Sequence, residues 1–546
     1  MQRFYDSRWV HYIAVAFVAA ILTLPSLGMT SLWDIDEGLN AEAAREMLES
    51  DNWIVPKFNS QPRNAKPALL YWLQAMSYQR LGVNEFAARL PSALTSILVA
   101  LATCELGRRM FDPRTGLYAG LIVASSIQFC LLAHAATPDM LLLLGVVLAL
   151  TLFWHGYNYD GKLWLITSAL GTALAVLAKG PVGLILPTFV ITLFLFSRGE
   201  MKRFFNWRIG VGFVVFLAIA LPWYVLVGSE TRGQFLRGFW WNENVNRFFE
   251  PLEQHAGPIY FYPLVFFIGF APWCVFVIPT LTNCITEARD DSDQKRLACR
   301  FLLLWVGAYF AFFSAAATKL PNYIFPMYPA LALLTARTLR RWQAGEWVAA
   351  SWVMPLCLAS LSLVGIITAT GLVIASGIVP LAALKGNAIP GLERWAAIGA
   401  IPITAAILAW CWRRPEFRSR AMAATTCGAI LFLGLLIAFP VRVVDKLKAP
   451  KDLVAQAALC HLEREMRIAT YDYFQPSLVF YSQREVSQLP NEQMAVDFLE
   501  SPFPGYLICP ARTWDQFASK VSSPHNILAR KHDLYRNYEV IVVANH

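Results

Sequence analysis

Long apolar runs separated by short polar segments fill the chain from about residue 11 to about residue 440. A helix needs about 20 apolar residues to cross the ~30 Å hydrocarbon core of a bilayer, and most of the runs approach that length. The pattern therefore predicts a mostly α, polytopic membrane bundle of about thirteen spans. They lie at roughly 11–29, 91–106, 116–135, 139–156, 162–178, 181–197, 209–228, 259–282, 299–317, 323–339, 349–376, 395–412 and 421–440.

The pattern changes after Lys448-Ala449-Pro450, where the composition becomes that of a soluble domain. Asp452 could cap a helix that runs to His461. Short strands are predicted at RIATYDY, REVSQL and GYLIC, helices at 491–501 and 512–521, and one or two strands in LYRNYEVIVVAN. We therefore predict a membrane domain over 1–440 and a small soluble α/β domain over 441–546.

Composition agrees with a membrane protein, since 57% of the 546 residues are hydrophobic and only 15% are charged. The first apolar run has no small-residue cleavage signature, so we expect an anchored first helix. The net charge of +9 reflects Lys and Arg in alternate loops. No compact basic domain occurs, which argues against nucleic-acid binding.

Clusters of Lys and Arg predict the orientation of the chain in the membrane. Positive loops remain in the cytoplasm, which places the amino terminus inside and, after an odd number of spans, the carboxyl end outside. The outer face then carries the first loop (30–90), the loop at 229–258 and the tail after about 441. The positive clusters are 108–114, 202–208, 289–300, 337–341 and 413–420.

The ten cysteines form no CxxC pair and lie mostly in apolar runs, where cysteine acts as a small hydrophobic residue. Only Cys460 and Cys509 fall in the tail. They could pair in an oxidising compartment, and the sequence leaves this open.

The first outer loop, Trp33 to Trp72, holds the strongest candidate chemistry. Asp36 either caps the helix that follows, whose alanines and Met47 form a stripe suited to the bilayer surface, or acts as a carboxylate that accepts a proton. Its neighbour Glu37 points elsewhere on a helix and could bind an amine or a metal.

Arg63 and Lys66 end the same loop. Pro67 could begin the next helix at its first position, which would put Lys66 beside a helix amino terminus and form a phosphate site. Ordinary snorkelling of both cations at the membrane interface is the alternative.

Further charged and aromatic residues are predicted on the same face: Asp139, Lys179, Arg247, His255, Lys319 and Tyr323. Together they fit an anionic lipid headgroup better than a soluble substrate. No cofactor is required by the sequence. A divalent metal held by His255 with Glu37 or Asp139 stays open, although no ligand spacing is present.

These residues, together with AEAAREMLESDNWIVPKFN, Lys66-Pro67-ALLYW and Glu85-FAARLPSAL, resemble the opening of the polyprenyl-phosphate-dependent GT-C glycosyltransferases. Among them, the 4-amino-4-deoxy-L-arabinose transferases that act on lipid A are the most similar. Similar blocks recur later in the membrane region. They are Thr137-Pro138-Asp139, Ala178-Lys179-Gly180-Pro181, Asn244 to Phe248, Pro272-Trp273 and Lys319-Leu320-Pro321 with Tyr323.

The resemblance implies a sugar donor on undecaprenyl phosphate, a lipid A acceptor, an outward-facing site in the bacterial inner membrane and inversion at the anomeric carbon. It implies that Asp36 is the essential first-loop acid, Lys66 the phosphate-binding lysine and Asp139 a further acid of the site. The aminoarabinose branch often has Arg-Tyr where this chain has Leu39-Asn40, and an acid where it has Ala65. Sugar and acceptor therefore stay open.

Two other functions remain possible on this sequence. A polyprenyl-phosphate-sugar mannosyltransferase acting on protein hydroxyls would use most of the same residues. A transporter of lipid-linked sugars would instead line a path through the bundle with Lys179 and the acids. Charge concentrated on one face, with no detectable internal repeat, argues against transport.

Overall fold

A computed structural model describes residues 8–158, 164–204, 207–250, 257–289, 293–347, 349–379, 387–460 and 465–545. The membrane region is helical, as the apolar runs predict. Its α-helices are α1 (Arg8–Thr23), α2 (Asp36–Glu49), α3 (Leu69–Leu81), α4 (Glu85–Met110), α5 (Pro113–Ala124), α6 (Ile127–Ala133), α7 (Asp139–Asn158), α8 (Trp164–Lys179), α9 (Val182–Ser197), α10 (Trp207–Glu230), α11 (Gln234–Arg237), α12 (Arg247–Phe249), α13 (Phe261–Gly269), α14 (Val277–Glu287), α15 (Gln294–Ala315), α16 (Tyr328–Ala344), α17 (Val353–Ala375), α18 (Ala400–Cys411), α19 (Arg418–Ala438) and α20 (Pro440–Asp445). A π-helix, Gly238–Asn246, joins α11 to α12.

Each predicted apolar run contains helix. Within the described residues, eight helices are long and apolar enough to cross a membrane, and the number is ten if each of two sharply bent pairs is one span. The pairs are α5 with α6, bent by 67°, and Phe261–Gly269 with Trp273–Glu287, bent by 112°. The remaining three runs correspond to the shorter helices α8, α9 and α16.

The predicted break at Gly180 and Pro181 is confirmed, because α8 ends at Lys179 and α9 begins at Val182. Gly180 has φ +88°, and a Cβ at this position would collide with the ring of Phe239. A side chain is excluded on both grounds. The tight turn therefore holds Lys179 beside the π-helix.

Close helix packing brings the functional ends of α7 and α8 together. A Cβ on Gly145 would lie 2.6 Å from the backbone nitrogen of Ala175, and a Cβ on Gly171 would lie 2.4 Å from the backbone nitrogen of Ala149. Small residues of this kind let membrane helices approach at backbone distance. Because α7 starts at Asp139 and the antiparallel α8 ends at Lys179, these two charged residues meet.

The carboxyl-terminal part forms a five-stranded mixed sheet, as predicted for an α/β unit. The strand order is β4-β3-β5-β7-β6; β3 is parallel to β4 and β5, and the other pairs are antiparallel. The elements are α21 (Pro450–Gln456), β3 (Arg467–Tyr471), α22 (Pro476–Ser482), β4 (Val486–Leu489), α23 (Glu492–Glu500), β5 (Gly505–Pro510), α24 (Ala511–Phe517), β6 (Asn526–Asp533) and β7 (Tyr538–Ala544). A separate small hairpin in the first loop pairs β1 (Lys57–Phe58) with β2 (Gln61–Pro62).

Three details of this region differ from the prediction. The helix α21 begins at Pro450 after Ala449, so Asp452 lies inside its first turn and is not the cap. Neither α22 nor β6 was predicted. Cys460 is exposed, Cys509 is buried, and both are free thiols.

The sheet region packs on the first loop, which confirms that the two share one face of the bundle. Ser477 donates through its backbone N–H to Asp34 at 2.8 Å, and its hydroxyl bonds the other oxygen of the same carboxylate. The N–H of Leu32 donates to the Tyr481 hydroxyl at 2.7 Å. Helix α22 therefore anchors the residues that lead into α2.

Candidate active site

The first-loop helix α2 starts at Asp36, with Ile35 in the N-cap position and no side-chain cap. Asp36 is therefore not the cap, and its side chain is exposed. The predicted stripe on the bilayer surface is also wrong. Residues such as Ala44 and Met47 are buried against Tyr78 inside the protein. Asp36 remains free to face a substrate.

Glu37 is a structural residue and not the predicted ligand of an amine or a metal. Its carboxylate forms a buried ion pair with Arg89 at 2.6 Å and accepts the backbone N–H groups of Trp33 and Ala136 at 2.7 and 2.6 Å. Burial alone would raise the pKa of Glu37, but Arg89 and these donors hold it below its ordinary value. The other proposed metal ligand, His255, lies outside the described residues.

The bonds to Ala136 have a further consequence for the site. Asn40 donates to the carbonyl of Ala136 at 3.1 Å, while Glu37 accepts from its N–H. Both side chains come from α2 and hold the short segment that leads into α7. They therefore fix the position of Asp139, the first residue of α7.

Asp139 is buried and has two polar partners. Lys179 donates to its Oδ1 at 2.5 Å and Asn322 donates to the same oxygen at 3.0 Å. The Lys179 ammonium lies 5.7 Å from the centre of the Tyr323 ring, within reach of a cation–π contact. Three predicted blocks of sequence thus meet at one point.

Lys66 lies between β2 and α3 and is half-buried. Because α3 begins at Leu69 with Ala68 as its N-cap, Pro67 is not the first helical residue, and Lys66 precedes the helix amino terminus by more than predicted. Desolvation, with the charges of Lys179 and Arg247, lowers the pKa of Lys66 to about 8 against the opposing pull of nearby acids. Those acids are Glu243 and Asp36.

The charges that act on Lys66 indicate that the predicted cations lie in one neighbourhood. Lys66 comes from the first loop, Lys179 from the end of α8, and Arg247 from the segment after the π-helix. Lys179 is paired with Asp139 and Arg247 with Glu243, whereas Lys66 forms no ion pair within the described residues. Their arrangement fits a phosphate group at the membrane surface.

Arg63 borders a cavity of about 370 Å³ beside Lys66. Its guanidinium donates to the Tyr71 hydroxyl at 3.2 Å and to Oδ1 of Asn40 at 3.3 Å, which holds the side chain in place. The cavity is lined by Phe58, Gln61, Pro62, Arg63, Asn64, Ala65, Gly238, Asn242 and Glu243. It therefore lies between the first loop and the π-helix.

The other predicted cations hold the outer loops together. Arg247 forms an ion pair with Glu243 at 3.3 Å, and its carbonyl accepts the N–H of Thr318 at 3.2 Å. Lys319 donates to the carbonyls of Ser314 and Ala316 at 2.9 and 3.1 Å. Lys319 therefore caps the end of α15, and its contact with substrate stays a prediction.

Sequence reasoning missed Asn40, Asn322 and Arg89. Arg89 lies inside the apolar helix α4, and a lone arginine there signals a buried partner. Asn322 follows the Lys319-Leu320-Pro321 block directly and could have been noticed on that basis. Nothing in the sequence distinguishes Asn40 from any other polar residue of an amphipathic helix.

Comparison with known proteins identifies sequences to which this chain is similar. The dolichyl-phosphate-mannose-protein mannosyltransferase family matches residues 65–225. An undecaprenyl phosphate-alpha-4-amino-4-deoxy-L-arabinose arabinosyl transferase of Pseudomonas fluorescens is 30% identical over 340 residues, 61% of this chain and 60% of that protein. An uncharacterized Aquifex aeolicus protein is 33% identical over 322 residues, 59% of this chain and 70% of that protein. The chain is thus similar in sequence to arabinosyl transferases of this kind over about 60% of their length.

The similarity in fold extends over nearly the whole chain. The crystal structure of ArnT from Cupriavidus metallidurans bound to undecaprenyl phosphate superposes with a TM-score of 0.80 at 22% identity and covers 98% of each chain. The predicted GT-C fold and the assignment as a polytopic membrane protein are thereby confirmed. The sequence matches to the first two curated relatives span 63% and 60% of their length.

Proposed function

We propose that this protein transfers 4-amino-4-deoxy-L-arabinose from undecaprenyl phosphate to a phosphate of lipid A at the outer face of the inner membrane. The observation that carries the proposal is the convergence of Lys66, Lys179 and Arg247 beside a cavity at one membrane face. The names of the curated relatives supply the sugar and the lipid carrier. The resemblance of the first-loop residues to transferases that act on lipid A suggests the acceptor.

In the proposed reaction an acceptor phosphate oxygen forms a bond to the anomeric carbon while the bond from that carbon to the carrier phosphate oxygen breaks. Attack from the opposite side inverts the configuration. The carrier phosphate gains negative charge as it departs, and Lys66 with Arg63 would stabilise that charge. Loss of one such donor is expected to reduce turnover by about 100- to 1000-fold.

The role of Asp36 depends on the acceptor. A phosphate acceptor is already anionic and needs no base, so Asp36 would bind the ammonium group of the sugar or orient the acceptor. A hydroxyl acceptor needs a base to take its proton, and Asp36 would serve as that base. The exposed position of Asp36 is compatible with either role.

We further propose that the amino terminus is cytoplasmic and that the first loop, the 229–258 segment and the carboxyl-terminal domain are periplasmic. The Lys and Arg distribution supports this orientation. The contacts of the domain with Leu32 and Asp34 support one shared side. Labelling of single cysteines from each side of intact cells would test it.

A second candidate is glycosyl transfer to a protein hydroxyl. The family match over residues 65–225 to protein mannosyltransferases favours it, as does the departure of Leu39, Asn40 and Ala65 from the aminoarabinose pattern. Asp36→Asn separates the two candidates. A hydroxyl acceptor predicts loss of kcat, whereas a phosphate acceptor predicts a raised KM with most of kcat retained.

The direct test uses purified protein, undecaprenyl-phosphate-linked aminoarabinose and lipid A in detergent, with mass spectrometry of the lipid A product. Lys66→Met should lose at least about 100-fold in turnover. Lys57→Met is the matched control, because Lys57 lies in the same loop on β1. Unmodified lipid A with the unsubstituted protein, or equal activity of both variants, would contradict the proposal.

A further inference from the structure

A cluster of two thiols and a carboxylate lies outside the candidate active site, where α14 and α15 meet. Sγ of Cys284, Sγ of Cys299 and a carboxylate oxygen of Glu287 all lie within 4.8 Å of one another. With a rise of about 1.5 Å per residue, Cys299 is roughly 24 Å along α15 from Ala315, the end of the helix that Lys319 caps. The cluster is thus at the other end of the helix.

Rigid elements supply all three side chains. Cys284 and Glu287 are three residues apart near the end of α14 and therefore share one helix face. Cys299 projects from the second turn of the neighbouring helix α15. Both cysteines are fully buried, and the Glu287 side chain is 10% exposed.

The two oxygens of Glu287 have different partners. Oε1 accepts from Arg341 at 2.6 Å and from Arg337 at 3.3 Å, while Oε2 lies 3.2 Å from Sγ of Cys299. One oxygen is therefore fixed by the arginines and the other is aimed at the thiols. Metal-binding carboxylates are commonly oriented by such outer hydrogen bonds.

Cys284 has an outer shell of the same kind. The Thr338 hydroxyl lies 3.6 Å from its sulfur and accepts from Nδ2 of Asn283 at 3.1 Å. Arg341 donates to Oδ1 of Asn283 at 2.7 Å. Arg341 thus connects the partners of the carboxylate with those of the thiol.

We propose that Cys284, Glu287 and Cys299 bind a thiophilic divalent cation of the Zn²⁺ class. Sulfur and carboxylate ligands at bond lengths of about 2.3 and 2.1 Å stand roughly 3.4–3.8 Å apart in a tetrahedral site, which needs only small side-chain rotations here. Two thiolates, one carboxylate and the ion carry a charge of −1, which Arg337 and Arg341 offset.

The ion would add a direct bond between helices that already meet through the polar contacts of Glu287, Asn283 and Thr338. Helix α14 is the second half of a pair bent by 112°, and its last turn carries two of the ligands. The cation would fix this end to α15 directly and to α16 through the arginines. Its role is structural, so its test does not depend on transfer activity.

Metal content of the full-length protein, purified in detergent after growth with added zinc, tests the proposal. The unsubstituted protein should hold about one equivalent of zinc more than Cys284→Ser/Cys299→Ser. The matched control is Cys130→Ser/Cys357→Ser, which removes two buried thiols elsewhere and should keep the metal. Equal zinc in all three proteins would overturn the site.

A measurement on the unsubstituted protein covers the case in which the double variant does not fold. Metal-free protein titrated with Co²⁺ should develop a thiolate-to-cobalt charge-transfer band at one equivalent, and zinc should raise its melting temperature. No band, or peptide mapping that finds a Cys284–Cys299 disulfide, would overturn the proposal.

Discussion

Lys179→Met tests the buried ion pair that joins α7 to α8. The pair has an N–O distance of 2.5 Å, and its Lys179 and Asp139 side chains are 13% and 4% exposed. Methionine keeps most of the length of lysine but removes the charge, so a buried carboxylate is left without its cation. Such a change costs about 3–5 kcal/mol of stability, which is roughly 200- to 4000-fold in the folding equilibrium.

The double variant Asp139→Asn/Lys179→Met removes both charges. The introduced asparagine would keep an oxygen that accepts from Asn322, whose amide lies 3.0 Å from Oδ1 of Asp139 in the unsubstituted protein. We therefore expect the double variant to regain at least half of the lost stability. Transfer activity should stay low in both variants, because the active site has lost a cation in each.

Stability is measured by unfolding in mixed detergent micelles with increasing SDS, and activity by mass spectrometry of the lipid product. Lys520→Met is the control, because it breaks an ion pair of the same length at the protein surface. Lys520 and Glu492 lie 2.5 Å apart, and their side chains are 61% and 36% exposed. Breaking an exposed pair should cost less than about 1 kcal/mol.

Two results would refute this reasoning. A loss below about 1 kcal/mol in Lys179→Met would show that the pair contributes no more than an exposed one. Full recovery of activity in the double variant would show that Lys179 acts only on stability, since no cation would then be needed at its position.

Three further changes have expected outcomes. With the pKa of Lys66 lowered to about 8, kcat/KM should fall as pH rises through about 8, and Lys66→Arg should move the fall to higher pH. Desolvation by burial raises the pKa of Asp34 to about 7, against the hydrogen bonds from Ser477, which lower it. Its protonated form therefore favours folding, and stability should fall as pH rises from about 4 to about 7; Asp34→Asn should remove that dependence. Glu37→Gln should cost about 3–5 kcal/mol, and Glu37→Gln/Arg89→Met less, as measured by thermal melting.

The controls for these changes are direct. If kcat/KM of Lys66→Arg falls at the same pH as that of the unsubstituted protein, the fall reports the titration of another group. An unchanged pH dependence of melting in Asp34→Asn would show that this carboxyl titrates normally in the folded protein. Equal losses in the single and double Glu37 variants would contradict the ion pair with Arg89.

The sequence predicted correctly those helices and breaks that are determined by residues adjacent in the chain. Each apolar run is long enough to specify a helix, and Gly180 followed by Pro181 favours a break between two helices. The shared face of the first loop and the tail followed from charge distribution. The grouping of Lys66, Asp139 and Lys179 was predicted only as a common face, and packing through Gly145 and Gly171 produced the contact.

The errors came from contacts between distant parts of the chain. The stripe on α2 was assigned to the bilayer because its true neighbours, α3 and α22, could not be seen from the pattern. Helix α22 was missed because PSLVFYS is a seven-residue apolar run, which periodicity does not distinguish from a strand. Glu37 was placed in the site because its partner Arg89 lies 52 residues away.

The most direct measurement is an electron cryo-microscopy structure of this protein with undecaprenyl phosphate bound. The account predicts that the phosphate lies within about 4 Å of the Lys66 ammonium, beside the cavity that Arg63 borders, with its oxygens at charge-assisted hydrogen-bond distance. A phosphate more than about 10 Å from Lys66, beyond the Debye length at 0.1 M salt, would contradict it. So would a phosphate bound on the face that carries Arg337 and Arg341.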